Sequence, residues 1–206
     1  MQNQSRAYWG VGIVLTLIVL AVFALRSGSS PTASAATVTD PSGLPGIMTG
    51  TLPWPPEFAH LRARLAAIGL PALATEGTAL HIHEHIDLFV NSARVPVPAE
   101  IGDDDAAGII SPIHTHDDTG IIHVESPRVE TFTLGQFFDV WGVRFTENAL
   151  GGYEARASSM LTVYVNGTRY AGDPRQIPLV AHEEIAVVFG VTPASVPATF
   201  AFPDGY

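Results

Sequence analysis

The spacing of apolar residues changes three times along this chain of 206 residues. Residues 8–25 form an apolar run of 18 residues without a charge, bounded by Arg6 and Arg26. The run is long enough for a short membrane span, and the small residues at 33–35 lie farther from it than a signal peptidase site usually does. The pattern therefore predicts an uncleaved N-terminal transmembrane anchor over residues 1–26.

A second pattern follows this apolar run. Residues 27–55 are rich in Ser, Thr, Ala, Gly and Pro and carry almost no charge, which is typical of a flexible linker.

From residue 56 onward, apolar side chains recur at the spacing of one helical face, and Gly69 stands where a helix C-cap would. We therefore predict a helix over residues 56–68, on which His60 is a surface or packing residue.

Beyond Thr78 apolar and polar residues alternate in short runs that are separated by turn residues, the pattern of an all-β fold. Asn166 and Gly167 favour a type I′ hairpin, because both residues tolerate positive φ. Strands are predicted near residues 80–91, 93–98, 108–116, 121–126, 160–166, 168–172 and 183–190.

One helix is predicted among the strands, over residues 133–142. Thr133 and Gln136 fit a capping box, and Gly142 stands where the helix would end. The predicted fold class is therefore an all-β sandwich or barrel with short helices over residues 56–206, preceded by the transmembrane helix and the flexible linker.

Composition excludes several kinds of site. Acidic residues outnumber basic ones by 20 to 10 and the net charge is -10, which argues against a nucleic-acid partner. The chain contains no Cys and no Lys, so it has no thiolate nucleophile, disulfide, zinc finger or Schiff-base lysine. Metal ligands must therefore come from His, Asp and Glu.

Six of the eight histidines lie within residues 81–125. In the first predicted strand His81, His83, His85 and Asp87 alternate with other residues and share one face. Alternate residues on a strand lie about 6.5–7 Å apart, so only part of the histidine triplet can reach one ion. A solvated polar face is the other interpretation of this triplet.

The second histidine motif, HTHDDTGIIHVE, starts at His114. A hairpin that turns at residues 117–120 places His114 opposite His123 and puts His116 on the same face. Glu125 follows on that face as a fourth ligand or as an acceptor that fixes an imidazole tautomer. An odd-numbered loop or a bulge would instead turn His123 away.

These motifs predict a metal site, with a hydrogen-bonded network and a solvated face as the alternatives. Nitrogen ligands with a carboxylate suit Zn, Cu, Ni or Fe, and the ligand types do not distinguish these transition metals. His182 is a possible remote ligand, and the acidic residues at 103–105 and 117–118 are expected to be solvated turns. The candidate ligands, in order of preference, are His114, His116, His123, His83, His81, His85 and Glu125.

The combination of HIHEH, HTHDDTGIIHVE and TFTLGQFFDVWG resembles uncharacterised bacterial exported or membrane-anchored proteins that carry the same three motifs. This resemblance covers roughly residues 80–145 and implies no activity. His114 and His116 also resemble the His-x-His pair of the cupins, although no Glu follows at the cupin spacing and the second cupin motif is not recognisable.

The sequence predicts a membrane-anchored, extracytoplasmic metal-binding domain. The anchor at residues 8–25 would cross the inner or plasma membrane once and leave the C-terminal domain on the periplasmic or extracellular side. Two alternatives stay open. One is an accessory subunit of a larger membrane complex, respiratory or photosynthetic, and the other is a mononuclear metalloenzyme, either a hydrolase or lyase or an oxygenase, whose catalytic residues the sequence does not identify.

Overall fold

The structure is a computed structural model that describes residues 38–206. This part of the chain is mostly β-sheet with two short α-helices, an arrangement consistent with a β-sandwich. The predicted anchor at residues 1–26 lies outside the described residues. Within residues 38–206, none of the helices has the length and apolar character that a membrane crossing requires.

Twelve strands form within the described residues, and every predicted strand region contains at least one of them. Four short strands, at residues 103–104, 145–146, 149–150 and 153–154, lie outside the predicted regions. The strands are β1 (Leu80–Val90), β2 (Ala93–Val95), β3 (Asp103–Asp104), β4 (Ile109–Ile110), β5 (Ile113–His114), β6 (Ile121–Ser126), β7 (Phe145–Thr146), β8 (Ala149–Leu150), β9 (Tyr153–Glu154), β10 (Leu161–Val165), β11 (Thr168–Arg169) and β12 (Glu184–Phe189).

A seven-stranded sheet organises the domain around β1, which pairs along both of its edges. The strand order is β11-β10-β12-β1-β6-β5, and β2 also pairs with β1. Only the β1–β12 pair in this sheet is parallel, and the other pairs are antiparallel. The parallel pair joins strands about a hundred residues apart, and no local pattern in the sequence indicated it.

The two faces of this sheet have different roles. One face contributes Ile86 and Leu88 to the main hydrophobic core, together with apolar residues of both helices. The opposite face carries the odd-numbered residues of β1, among them His83 and His85, and a small apolar cluster around Phe89. The histidines therefore lie on the side of the sheet that faces away from the main core.

The first helix, α1 (Leu61–Ile68), begins five residues later than predicted. His60 is the N-cap residue with non-helical backbone angles, and its backbone N–H donates to the Glu57 carboxylate, so the helix starts at Leu61. Gly69 ends the helix in the left-handed conformation with φ 75°, as predicted.

The second helix, α2 (Leu134–Trp141), confirms the predicted capping box, because Thr133 and Gln136 exchange side-chain to backbone hydrogen bonds. Gly142 ends it with φ 85°. Short 3₁₀ turns also form at Pro41–Gly43 and Pro174–Gln176.

Residues 38–55, predicted as part of the linker, pack against the β-domain. The backbone N–H of Met48 donates to the carbonyl of Gly142 over 2.7 Å, and the Trp54 side chain is buried in the main core. The carbonyl of Val38 accepts a hydrogen bond from Arg175. This part of the predicted linker is therefore not a free tether.

Candidate metal site

Strand β6 is the centre of the histidine-rich face, because it pairs with a histidine-bearing strand on each side. On the β1 side, His83 lies opposite His123 and His81 lies opposite Glu125. On the β5 side, His114 lies opposite His123, which confirms the predicted hairpin register. The two histidine motifs thus share one face of three adjacent strands.

Six of the seven predicted ligands gather there, and we call them the histidine cluster: His81, His83, His114, His116, His123 and Glu125. Their possible ligand atoms form two groups of four, and within each group all atoms lie within 4.8 Å of one another. The first group contains His81 and His83, the second contains His114 and His116, and both contain His123 and Glu125. Such a cluster could hold a metal ion.

Nitrogen atoms in the first group converge on one carboxylate oxygen. Nε2 of His81 lies 3.2 Å from Oε1 of Glu125 and 3.2 Å from Nε2 of His83. Nδ1 of His123 lies 3.3 Å from the same Glu125 oxygen. The residues opposed across β1 and β6 therefore face a common point from both strands.

The second group contains a ring whose tautomer is fixed by the backbone. His114 is fully buried, and its Nδ1 donates to the carbonyl of Ser111 over 2.9 Å. A carbonyl only accepts, so Nδ1 carries the proton and Nε2 keeps its lone pair in the neutral ring. Metal-binding histidines are commonly held in this way, with one ring nitrogen donating to a carbonyl and the other free to bind. The free Nε2 of His114 lies 3.2 Å from Nε2 of His116.

Burial keeps the central rings neutral. It is the main cause that lowers the pKa of His114 to about 4 and the pKa of His123 to about 3, and the neighbouring His116 ring adds to both effects. Burial and then the His81 ring also lower the pKa of His83. Burial followed by the nearby Glu76 carboxylate raises the pKa of Glu125 to about 7. Neutral imidazole is the form that binds metal ions, so these rings are ready to bind at neutral pH.

Two acidic residues that the sequence did not assign to the site lie beside His116. Oε1 of Glu76 is 3.4 Å from Nε2 of His116, and Oδ2 of Asp103 is 3.7 Å from Nδ1. Glu76 precedes β1 in a segment without periodic character, and no sequence signal indicated that it would approach a ring forty residues away. Asp103 was expected to be a solvated turn residue, but it is partly buried against this ring.

His85, the seventh predicted ligand, lies apart from the cluster. Its Nδ1 is 2.6 Å from Oε2 of Glu184, and its Nε2 donates to the carbonyl of Thr119 over 2.9 Å. Asp87 completes this buried group but also pairs with Arg94. Both ring nitrogens of His85 thus already have hydrogen-bonding partners. Glu184 comes from the parallel strand β12, so the sequence did not indicate this group.

The remaining histidines and the acidic turn lie outside the cluster. His182 is exposed and its Nε2 bonds to the carbonyl of Tyr206 over 2.9 Å. His60 is exposed and pairs with Glu57 over 2.8 Å. Asp117 accepts a hydrogen bond from the backbone N–H of Thr119, so its carboxylate stabilises the β5–β6 turn.

The C-terminal residues cover part of the histidine-rich face with aromatic rings. The Tyr206 ring lies 4.6 Å from the His83 ring and 5.5 Å from the His123 ring, measured between centroids. Phe200 stacks on His85 at 3.7 Å with nearly parallel planes. His81 and His116, whose side chains are 56% and 39% exposed, lie where the cluster meets solvent.

Neither family models nor known proteins or solved structures yield a match to this chain. The function is therefore inferred from the chemistry of the histidine cluster.

Proposed function

We propose that this protein binds a transition-metal ion in the histidine cluster and presents it from a membrane-anchored β-domain on the extracytoplasmic side. The observation that carries this proposal is the convergence of five imidazoles and one carboxylate from three adjacent strands and the segment that follows β5. A solvated face would not bury His83, His114, His123 and Glu125, whose exposed fractions are 6% or less.

The paired imidazole nitrogens also suit metal binding. Nε2 atoms lie 3.2 Å apart in the His81–His83 and His114–His116 pairs, where the N–H of one ring can donate to the lone pair of the other. A metal ion bound by both rings of a pair would take the place of that shared proton. His85 differs, because its two nitrogens face the Glu184 carboxylate and the Thr119 carbonyl instead of another ring.

Elemental analysis of the purified full chain tests this function. We expect the wild-type chain to retain Zn(II), Cu(II), Ni(II) or Fe(II), and His123→Ala to lose it, because His123 belongs to both groups. Loss of a partner that only orients a ligand typically costs about 10–100-fold in affinity, so loss of His123 itself should cost at least about that much. His114→Ala should also weaken binding.

The matched control is His60→Ala. It removes an exposed histidine whose ring pairs with Glu57, outside the histidine cluster. This variant should keep the wild-type metal content. Equal metal content in wild type, His114→Ala and His123→Ala would contradict the proposal.

The membrane location rests on the apolar run at residues 8–25. Its orientation rests on the expectation that a long C-terminal domain is translocated. In cells, the full chain should sediment with membranes, and protease added from the extracytoplasmic side should digest the β-domain. Protection of the domain in sealed cells or spheroplasts would contradict the location and leave the metal proposal unaffected.

A further inference from the structure

The histidine cluster contains more donor residues than a single zinc ion usually binds. A structural zinc ion is almost always bound by four donors, whereas the cluster offers six residues. The six do not form a single group, because only His123 and Glu125 belong to both sets of four. We propose that the cluster holds two metal ions, one in each group, which share His123 and Glu125. This inference rests on the proposed metal-binding function.

The two shared residues have the chemistry that sharing requires. An imidazole ring has two nitrogens and a carboxylate has two oxygens, so each side chain can bind one ion with each of its donor atoms. The strand register places His123 between His83 on β1 and His114 on β5. When both nitrogens of His123 bind ions, the remaining ring N–H proton is released to solvent and the ring becomes an anionic bridge.

The unshared donors are separated by strand. His81 and His83 both come from β1, whereas His114 lies in β5 and His116 lies two residues after its end. Within each pair the Nε2 atoms are 3.2 Å apart, so each pair forms its own two-nitrogen site. Strand β6 lies between the pairs and supplies only the shared residues.

Acidic side chains at the cluster reduce the repulsion between two divalent ions, which is strong where the surroundings have a low dielectric constant. Glu125 lies within the cluster, and Glu76 and Asp103 lie beside His116 in the second group. Glu76 is half exposed and close to His116 Nε2, so it is also placed to bind the ion of the second group. These carboxylates favour two cations over one.

Titration of the metal-free full chain with Cu(II), followed by elemental analysis and electron paramagnetic resonance, tests the arrangement. Wild type should take up two equivalents, and the second should reduce the signal per copper because ions that share a ligand couple magnetically. His81→Ala/His83→Ala and His114→Ala/His116→Ala should each take up one equivalent with the uncoupled signal of a single ion.

The outcomes separate this inference from the function on which it rests. Saturation of wild type at one equivalent would overturn the two-ion arrangement and leave metal binding in place, whereas no specific binding would overturn both. A double variant that still takes up two ions, or binds none while folded, would also overturn the arrangement.

Two single variants keep the test decisive if a double variant does not fold. His81 and His116 have the most exposed rings of the cluster, so His81→Ala and His116→Ala should preserve the fold. Each should weaken one of the two binding steps by about tenfold or more and leave the other step within about threefold. Equal weakening of both steps by either variant would contradict two separate ions.

Discussion

His83 and His123 lie directly opposite each other on antiparallel strands, with ring centroids 4.6 Å apart and ring planes at 87°. Directly opposed side chains are the closest neighbours across a sheet, so this register fixes the separation of the two rings through the backbone. His114 lies opposite the other side of His123. Five of the six cluster residues therefore lie on paired strands, and His116 lies in the segment that follows β5.

Metal binding should stabilise the fold. An ion that binds only the folded state at a hundred times its dissociation constant adds about 2.7 kcal/mol to the free energy of unfolding. For a domain of this size that corresponds to a rise in Tm of about 5–10 °C. Thermal unfolding followed by circular dichroism, with and without Zn(II), measures the rise. His60→Ala should show the same rise and His123→Ala should not; a rise of equal size in His123→Ala would place the ion elsewhere.

Removal of the Tyr206 ring should speed the exchange of the metal ion. The ring covers His83 and His123 from the solvent side, so Tyr206→Ala should release the bound ion to a chelator severalfold faster than wild type. Tyr206→Phe retains the ring and should behave like wild type. Stopped-flow transfer to a coloured chelator measures the rates, and identical rates in all three proteins would show that the ring does not limit access.

Glu84 should make the stability of the domain depend on pH. It lies on the core face of β1 and is fully buried, and neither carboxylate oxygen has a hydrogen-bonding partner among residues 38–206. Burial raises its pKa well above the usual range. As pH rises, the unfolded chain ionises at this residue before the folded chain does, so the unfolded state is favoured. From about pH 5 upward, stability should fall by about 1.4 kcal/mol per pH unit relative to Glu84→Gln, until the folded protein itself ionises there.

Urea unfolding at several pH values measures this effect. Glu147→Gln changes an exposed carboxylate in the same way and should follow the wild-type curve. Parallel pH profiles for wild type and Glu84→Gln would show that the carboxylate is not held neutral by burial.

Arg175 should be one of the most costly side chains to remove. It is buried, pairs with the buried Asp139 over 2.7 Å, and donates to the carbonyls of Val38 and Phe145. Breaking such a pair leaves a buried group without its counterion, which costs about 3–5 kcal/mol. Arg175→Met should lower the free energy of unfolding in urea by about that amount. Arg62→Met, at an exposed position of α1, should change it by less than about 0.5 kcal/mol. Similar losses in both variants would contradict this role.

The sequence by itself determined the features that depend on near neighbours. The Thr133–Gln136 capping box involves residues three positions apart, and the turn at Asn166 and Gly167 has φ of 50° and 73° as its residue types predict. The short even-numbered turn after His116 likewise placed His114 opposite His123. Each of these contacts is fixed by the geometry of a few consecutive residues.

Only the tertiary structure decided how the separate motifs meet. Pairing of β1 with β6 brought His81 and His83 to His123, and the parallel pairing with β12 brought Glu184 to His85. The same holds for Glu76 beside His116 and for the buried Arg64 and Arg175, which donate to carbonyls far away in the chain. Residues so distant in sequence meet only because the whole core selects which strands pair, and that selection has no local signal in the sequence.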